Sequence, residues 1–293
     1  MTNYDGTMTA DPLTTQDTSE RVNYATGVLL QAEDFRDEQT YHRSNLARAL
    51  RHMVGSGTLS GLAVRSPQAE DNELELRVEP GVALDRHGRL IGMNDAWCTR
   101  LSRWFASQST SALRSAIQRK PRTPVNVAVV ADLFLSAQDC ARGKTPSIAQ
   151  GPFDALDALV PARLAELPSF DLVLRAEGPP GPIPTPKNHW PAPNAPKAMK
   201  LAAVLGSWQS AERGSLNDAL EPFAEHVDGN ENSAVLLARV AVPVKLAANA
   251  PAEVRPTLDL SARVHVDNAI RPFIYLPGKW LGSAPQPTPV REP

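Results

Sequence analysis

Residues 33–64 read EDFRDEQTYHRSNLARALRHMVGSGTLSGLAV, and a change of period inside this stretch decides the fold. Phe35, Gln39, His42, Leu46, Ala49 and Met53 recur at steps of 4, 3, 4, 3 and 4, which puts them on one face of a helix. Glu33, Asp34, Asp37 and Glu38 crowd its start, and Arg43, Arg48 and Arg51 occupy its later turns, the order that the helix dipole favours. Gly55 and Gly57 end it. The spacing predicts a helix over 33–54 whose semi-apolar face either docks on a sheet or packs against symmetry copies. Phe35, Gln39, His42, Leu46 and Met53 are therefore the candidate assembly contacts. Leu29 and Leu30, just ahead of the helix, are placed to staple onto Phe35.

Past Gly57 the period falls to two. Residues 58–64, 74–78, 82–85 and 89–93 read as short strands separated by Pro67, by Pro80-Gly81 and by His87-Gly88, a β-meander in which Gly88 is free to take positive φ. Residues 125–135, VNVAVVADLFL, are apolar on both faces at their centre, as an inner strand covered on two sides requires. Residues 170–176, 234–244 and 258–264 read as further strands, and 154–167 and 216–227 as short helices. The expected fold class is mainly β with one long N-terminal helix, organised as β-sandwich or barrel-like regions.

Working outward, residues 1–21 are rich in Thr, Asp and Ser and carry too little apolar surface to order themselves. They read as an extended arm. The expected division is this arm, a helix-plus-meander domain over 22–105, a linker or helix over 106–122, a second β-rich domain over 123–282, and a tail over 283–293. A proline-rich excursion, GPPGPIPTPKNHWPAPNAPK, occupies 178–197.

Composition narrows the function classes. Thirty Lys+Arg against 32 Asp+Glu, a net charge of −2, supply no global field for nucleic acid or for an anionic membrane. Twenty-seven prolines in 293 residues, about 9% against the usual ~5%, favour interrupted strands over long helices. Cys98 and Cys140 have no zinc or CxxC spacing, which suits a chain made in a reducing cytoplasm. The N-terminus lacks the basic and apolar segments of a secretory signal, and no run reaches the ~18 apolar residues of a membrane span.

Motifs that carry chemistry are missing from the sequence. The six His residues form no HExxH, and Glu38 with His42, one helical turn apart, fits a solvated contact better than a metal site. Gly55-Ser56-Gly57 does not make GxSxG, and a helix ends there where a nucleophile elbow needs one to begin. Neither GxxxxGK[ST] nor GxGxxG occurs. The expectation is no enzyme, no catalytic residue, no cofactor and no metal.

One resemblance covers the first third. Asn23-Tyr24-Ala25-Thr26-Gly27-Val28-Leu29-Leu30, then Glu33-Asp34-Phe35 and Glu38-Gln39-x-Tyr41-His42, run on into Gly57-x-x-x-Gly61-Leu62-Ala63-Val64, Val78-Glu79-Pro80-Gly81-Val82-Ala83-Leu84-Asp85 and His87-Gly88-Arg89. This succession resembles a structural protein family of contractile phage tails and related contractile injection systems, associated with the baseplate. The entry into the helix is also similar to the opening of the trimeric baseplate adaptor of type VI secretion systems. The sequence departs from the pattern at Gln31, where Ser or Thr would cap the helix. The resemblance implies a component of a virion or injection particle, synthesised in a bacterial cytoplasm and held by contacts with other tail or baseplate subunits. A homo-oligomer follows, a trimer first, with no nucleic-acid partner and no membrane insertion. The rival functions are a receptor- or glycan-binding protein at the tail tip, presenting Trp190, Trp208 and Trp280, and a particle-borne cell-wall hydrolase.

Overall fold

The computed structural model describes residues 8–9, 11–14, 20–67, 74–119, 127–146, 159–175, 183–186, 195–209, 220–247 and 249–274. The chain is mainly β with one long N-terminal helix. Strand β1 (Met8–Thr9) leads to helix α1 (Ala32–Val54), and the meander follows as β2 (Gly57–Gly61), β3 (Val64–Arg65), β4 (Glu75–Val78), β5 (Gly81–Leu84), β6 (Leu90–Met93) and β7 (Trp97–Arg100). Helices α2 (Leu101–Ser107) and α3 (Thr110–Ser115) and strand β8 (Ile117–Arg119) fill the expected linker. Ser109 caps α3, its hydroxyl accepting from the Ala112 N–H at 3.1 Å. The remainder is β9 (Val127–Pro146), β10 (Leu159–Leu174), α4 (Lys197–Gln209), β11 (Val235–Lys245), β12 (Thr257–Leu258) and β13 (His265–Asp267).

Strand β9 organises the largest sheet. It pairs antiparallel with β10, β11, β8 and β1, while β12 and β13 pair with β11. Among the described residues, two three-stranded sheets, β2-β5-β6 and β3-β4-β7, accompany this sheet. The sheets stay open, so the barrel-like alternative is corrected. One hydrophobic cluster joins Leu62, Leu76, Val78 and Ile91 of the meander to Leu133, Leu135, Leu237 and Val240 of β9 and β11. The two expected β regions thus share a core. The run of 128–135, apolar but for Asp132, is explained by cover on both faces, since every residue in it is buried.

Three expected elements differ. Of the expected helix 154–167, the described residues are strand β10, because Pro161 and Pro168 remove donors that a helix interior needs but an edge strand does not. Residues 220–227 are turns rather than helix. The expected strand 258–264 is interrupted after Leu258, where Asp259 Oδ1 accepts from the Ser261 N–H at 3.1 Å and turns the chain before β13. The start of the helix expected at 154, most of the 178–197 excursion and the 283–293 tail lie outside the described residues.

The arm is also corrected where it is described. Met8 and Thr9 add to β9 opposite Cys140 and Asp139, and Asp11 and Leu13 are buried, Leu13 against Ala47 of α1. A short segment orders on its own body here because it borrows an existing sheet edge and one apolar socket.

Irregular segments are held by arginines. Arg114 donates to the carbonyls of Ala250 and Val254, Arg255 to those of Phe105 and Gln108, Arg271 to that of Gly61, and Arg86 to that of Asn232. Carbonyls at element ends and in loops lack a ladder partner, and a guanidinium with five donors in a fixed fork satisfies two at once.

Candidate functional site

Helix α1 presents two faces of different character. Thr40, Ser44, Ala47 and Arg51 are buried against the body. At 100° per residue the stripe of Phe35, Gln39, His42, Leu46, Ala49 and Met53 lies roughly 150° away from them. It faces outward: Phe35 is 49% exposed, Leu46 63% and Met53 72%, and Gln39, His42 and Ala49 are exposed as well. The helix therefore docks through its small and polar side chains and leaves its apolar stripe uncovered. Leu29 is 85% exposed, so its part of the expected staple onto Phe35 is corrected, while Leu30 is partly buried. Tyr24, Val28 and Leu29 instead extend the uncovered apolar surface toward the helix start.

Local chemistry sets the helix in this orientation. Asp34 accepts a 2.7 Å hydrogen bond from the Gln31 N–H, so the acidic third residue supports the start that Gln31 lacks a Ser or Thr hydroxyl to cap. Tyr24 donates its hydroxyl to Glu38. At the other end the Gly55 N–H donates to the Arg51 carbonyl.

Beneath the helix lies an ionic cluster, buried at Asp11 and Asp85, mostly buried at Arg89 and open to solvent at Arg43 and Glu166. Asp85, fully buried, accepts from the His87 and Arg89 N–H groups at 3.0 and 2.8 Å and from Arg89 Nε at 2.6 Å. Arg89 and Arg43 both reach Asp11 Oδ2, at 3.4 and 3.3 Å, and Arg43 continues to Glu166 at 2.8 Å. Arm, helix, meander and β10 are thereby joined through two guanidinium groups. Burial raises the pKa of Asp139 beside them, with Asp11 adding to the rise. Burial and the neighbouring Arg89 lower that of His87 to about 4. A cavity of about 110 Å³ at this junction is far below the ~300 Å³ at which small-molecule pockets begin.

A second uncovered element is the far end of the β9–β10 hairpin. Residues 142–146 and 159–164 are all exposed. Register places Arg142 opposite Arg163, Lys144 opposite Pro161 and Pro146 opposite Leu159, so one face of the ribbon carries three cations and no acid. Val160 and Leu164, opposite Thr145 and Ala141, belong to the other face. Periodicity missed this element because residues 159–167, LVPARLAEL, mix helical spacing with a strand-like start. Pro161 and Pro168 are the signal that would have found it.

Among the described residues no group of three or more His, Cys, Asp or Glu side chains is placed to hold a metal ion, and no helix is long and apolar enough to cross a membrane. Trp208 lies in α4, while Trp190 and Trp280 lie outside the described residues. Trp97 stacks on Phe170 at 4.3 Å between ring centroids, and Trp104 donates to the Leu172 carbonyl at 2.9 Å. No protein-family model matches the chain, and no curated protein matches it.

Proposed function

We propose that this chain is a structural subunit of a contractile phage tail, baseplate or related injection particle, acting through subunit contacts and carrying no catalytic residue or cofactor. One observation carries the reading: the stripe of α1 faces away from the body while the polar side of the helix is docked. Its steps of 4 and 3 make two interleaved seven-residue series, Phe35, His42, Ala49 and Gln39, Leu46, Met53, which is the pattern of a coiled-coil seam. Burial of such a seam stabilises only if another helix covers it. A second copy supplies one in register.

In this reading α1 lies on a three-fold axis, with the facing sheets as a sandwich around it and Gln39 and His42 forming hydrated middle layers that fix register. The sequence resemblance over 23–42, 57–64 and 78–89 supports the particle context and synthesis in a bacterial cytoplasm. The test is light scattering on the full chain at tens of micromolar. A trimer that Leu46→Glu with Met53→Glu converts to folded monomer is the expected result. A wild-type monomer removes the self-pairing seam, and failure of the chain to co-purify with tail or baseplate proteins from particles removes the particle context.

A further inference from the structure

The β9–β10 ribbon is built at a cost that its own fold does not recover. Arg142 and Arg163 are directly opposed across the two strands, an arrangement of like charges that destabilises a sheet pair. Two strands without a covering layer are marginal in water, and all eleven residues of 142–146 and 159–164 are exposed. No acidic side chain lies among them. A partner bearing negative charge would turn this repulsion into attraction.

The same chain carries the complementary surface. Glu33, Asp34, Asp37 and Glu38 lie within the first two turns of α1, Glu33 and Asp37 exposed and Asp34 and Glu38 partly so. Glu33 pairs with Arg36 at 3.5 Å, and Glu38 accepts from Tyr24 and lies 3.8 Å from His42. The uncovered Val28 and Leu29 border this acidic surface, as Leu159 borders the cations of the ribbon. Within one chain both surfaces remain exposed, so they do not cover each other.

We infer that the cationic face of the β9–β10 ribbon, Arg142, Lys144 and Arg163, docks on the acidic start of α1 of a second copy. The contact is heterologous: ribbon meets helix, not ribbon meets ribbon. It closes a ring when the rotation between copies permits. Glu33, Asp34 and Asp37 lie off the Phe35 to Met53 seam, whereas Glu38 borders it, 3.8 Å from His42, so the ribbon contact is made through the first three and leaves the seam open. This inference rests on the reading that the chain assembles with its own copies, but it names a different surface for the encounter. Charge contacts of this kind are screened by salt, with a Debye length of ~3 Å at 1 M.

The test uses sedimentation velocity of the full chain in 50 mM and 1 M salt, with circular dichroism confirming that each variant folds. The triple variant R142E/K144E/R163E is expected to raise the dissociation constant at least tenfold in low salt, as is E33K/D37K on the helix. Combining all five substitutions is expected to restore association to within about threefold of wild type, which non-specific damage would not do. Association that is insensitive to salt and to the triple variant overturns the inference while leaving the α1 seam standing. Failure of the five-fold variant to recover overturns it as well. So does capture of duplex DNA by the wild type but not by the triple variant, because the ribbon then serves a phosphate backbone. If L46E/M53E dissociates the oligomer but the ribbon variants do not, the seam alone holds it.

Discussion

Gly88 lies directly against the Ala47 carbonyl: a Cβ added to Gly88 would stand 2.1 Å from that oxygen and 2.7 Å from its carbon. The turn between β5 and β6 is thus pressed into the backbone of α1, and Gly88 also holds φ +86. Gly88→Ala is expected to lose at least about 2 kcal/mol, since the left-handed conformation alone costs ~1–2 kcal/mol for an L side chain and the helix must also lift. Urea denaturation checks the magnitude, and faster amide exchange in 40–51 checks that the helix has moved.

Substitutions on the outward stripe should behave in the opposite way. Phe35 is half exposed, so Phe35→Ala is expected to change monomer stability by less than about 1 kcal/mol, well short of the ~3–5 kcal/mol that truncating a buried Phe costs. Ala47, 3% exposed between Leu13 and the body, is the sensitive site. Ala47→Leu is expected to cost about 1–3 kcal/mol by overpacking. Equal melting shifts for Phe35→Ala and Ala47→Leu would show that the stripe is not the free face.

These two positions also show how far the sequence can be read. The helix, its ends and the short strands of the meander are local properties, set by period, charge order and glycine, and each is found within a few residues of where the sequence puts it. Which face of α1 docks is not local. An apolar stripe normally marks the buried side, yet Thr40, Ser44 and Ala47 are small enough for the Gly88 turn to approach, and Arg51 reaches the body beside them. The ribbon was illegible for a related reason: its strands gain their order from pairing over long separations, and only the prolines hint at them. The arginine tethers are likewise invisible in sequence, where a guanidinium that binds loop carbonyls reads like any surface cation.

Arg239 is a further tether of this kind, and it also holds a buried carboxylate. Its Nε and Nη2 hold the fully buried Asp132 at 2.7 and 2.8 Å, and Nη2 and Nη1 reach the Pro184 and Ile183 carbonyls at 2.9 and 3.3 Å. Arg175 reaches the same carboxylate from 3.4 Å. Arg239→Ala is expected to cost roughly 3–5 kcal/mol, because it strips a buried carboxylate of its two-point partner. Arg239→Ala with Asp132→Asn should recover part of that loss. Chemical denaturation of the single and double variants measures the difference, and a double variant no better than the single would place the cost in the lost 183–184 tether instead.

Acid stability should turn on His87. Burial is the main cause of its pKa of about 4, with Arg89 and Arg51 opposing a further positive charge and Glu231 and Asp11 acting the other way. In the unfolded chain His87 takes a proton near pH 6.5, whereas the folded protein refuses it until about 4. The unfolded state therefore binds more protons between these values, so the stability that neutral His87 confers is complete above pH 6.5 and drains away as the pH falls to about 4. The loss amounts to at most about 3 kcal/mol and less where solvent screens the exposed edge of the ring. His226, also lowered chiefly by burial, adds a loss of the same sign. Asp139 and Glu225, raised by burial, act in the opposite direction, since their folded forms keep a proton that the unfolded chain releases. His87→Gln separates these contributions, because it removes one titration and leaves the carboxylates in place. Unfolding free energies measured from pH 7 to 4 are expected to fall less steeply in His87→Gln than in wild type, and parallel curves would show that His87 is protonated as readily in the folded state as in the unfolded one.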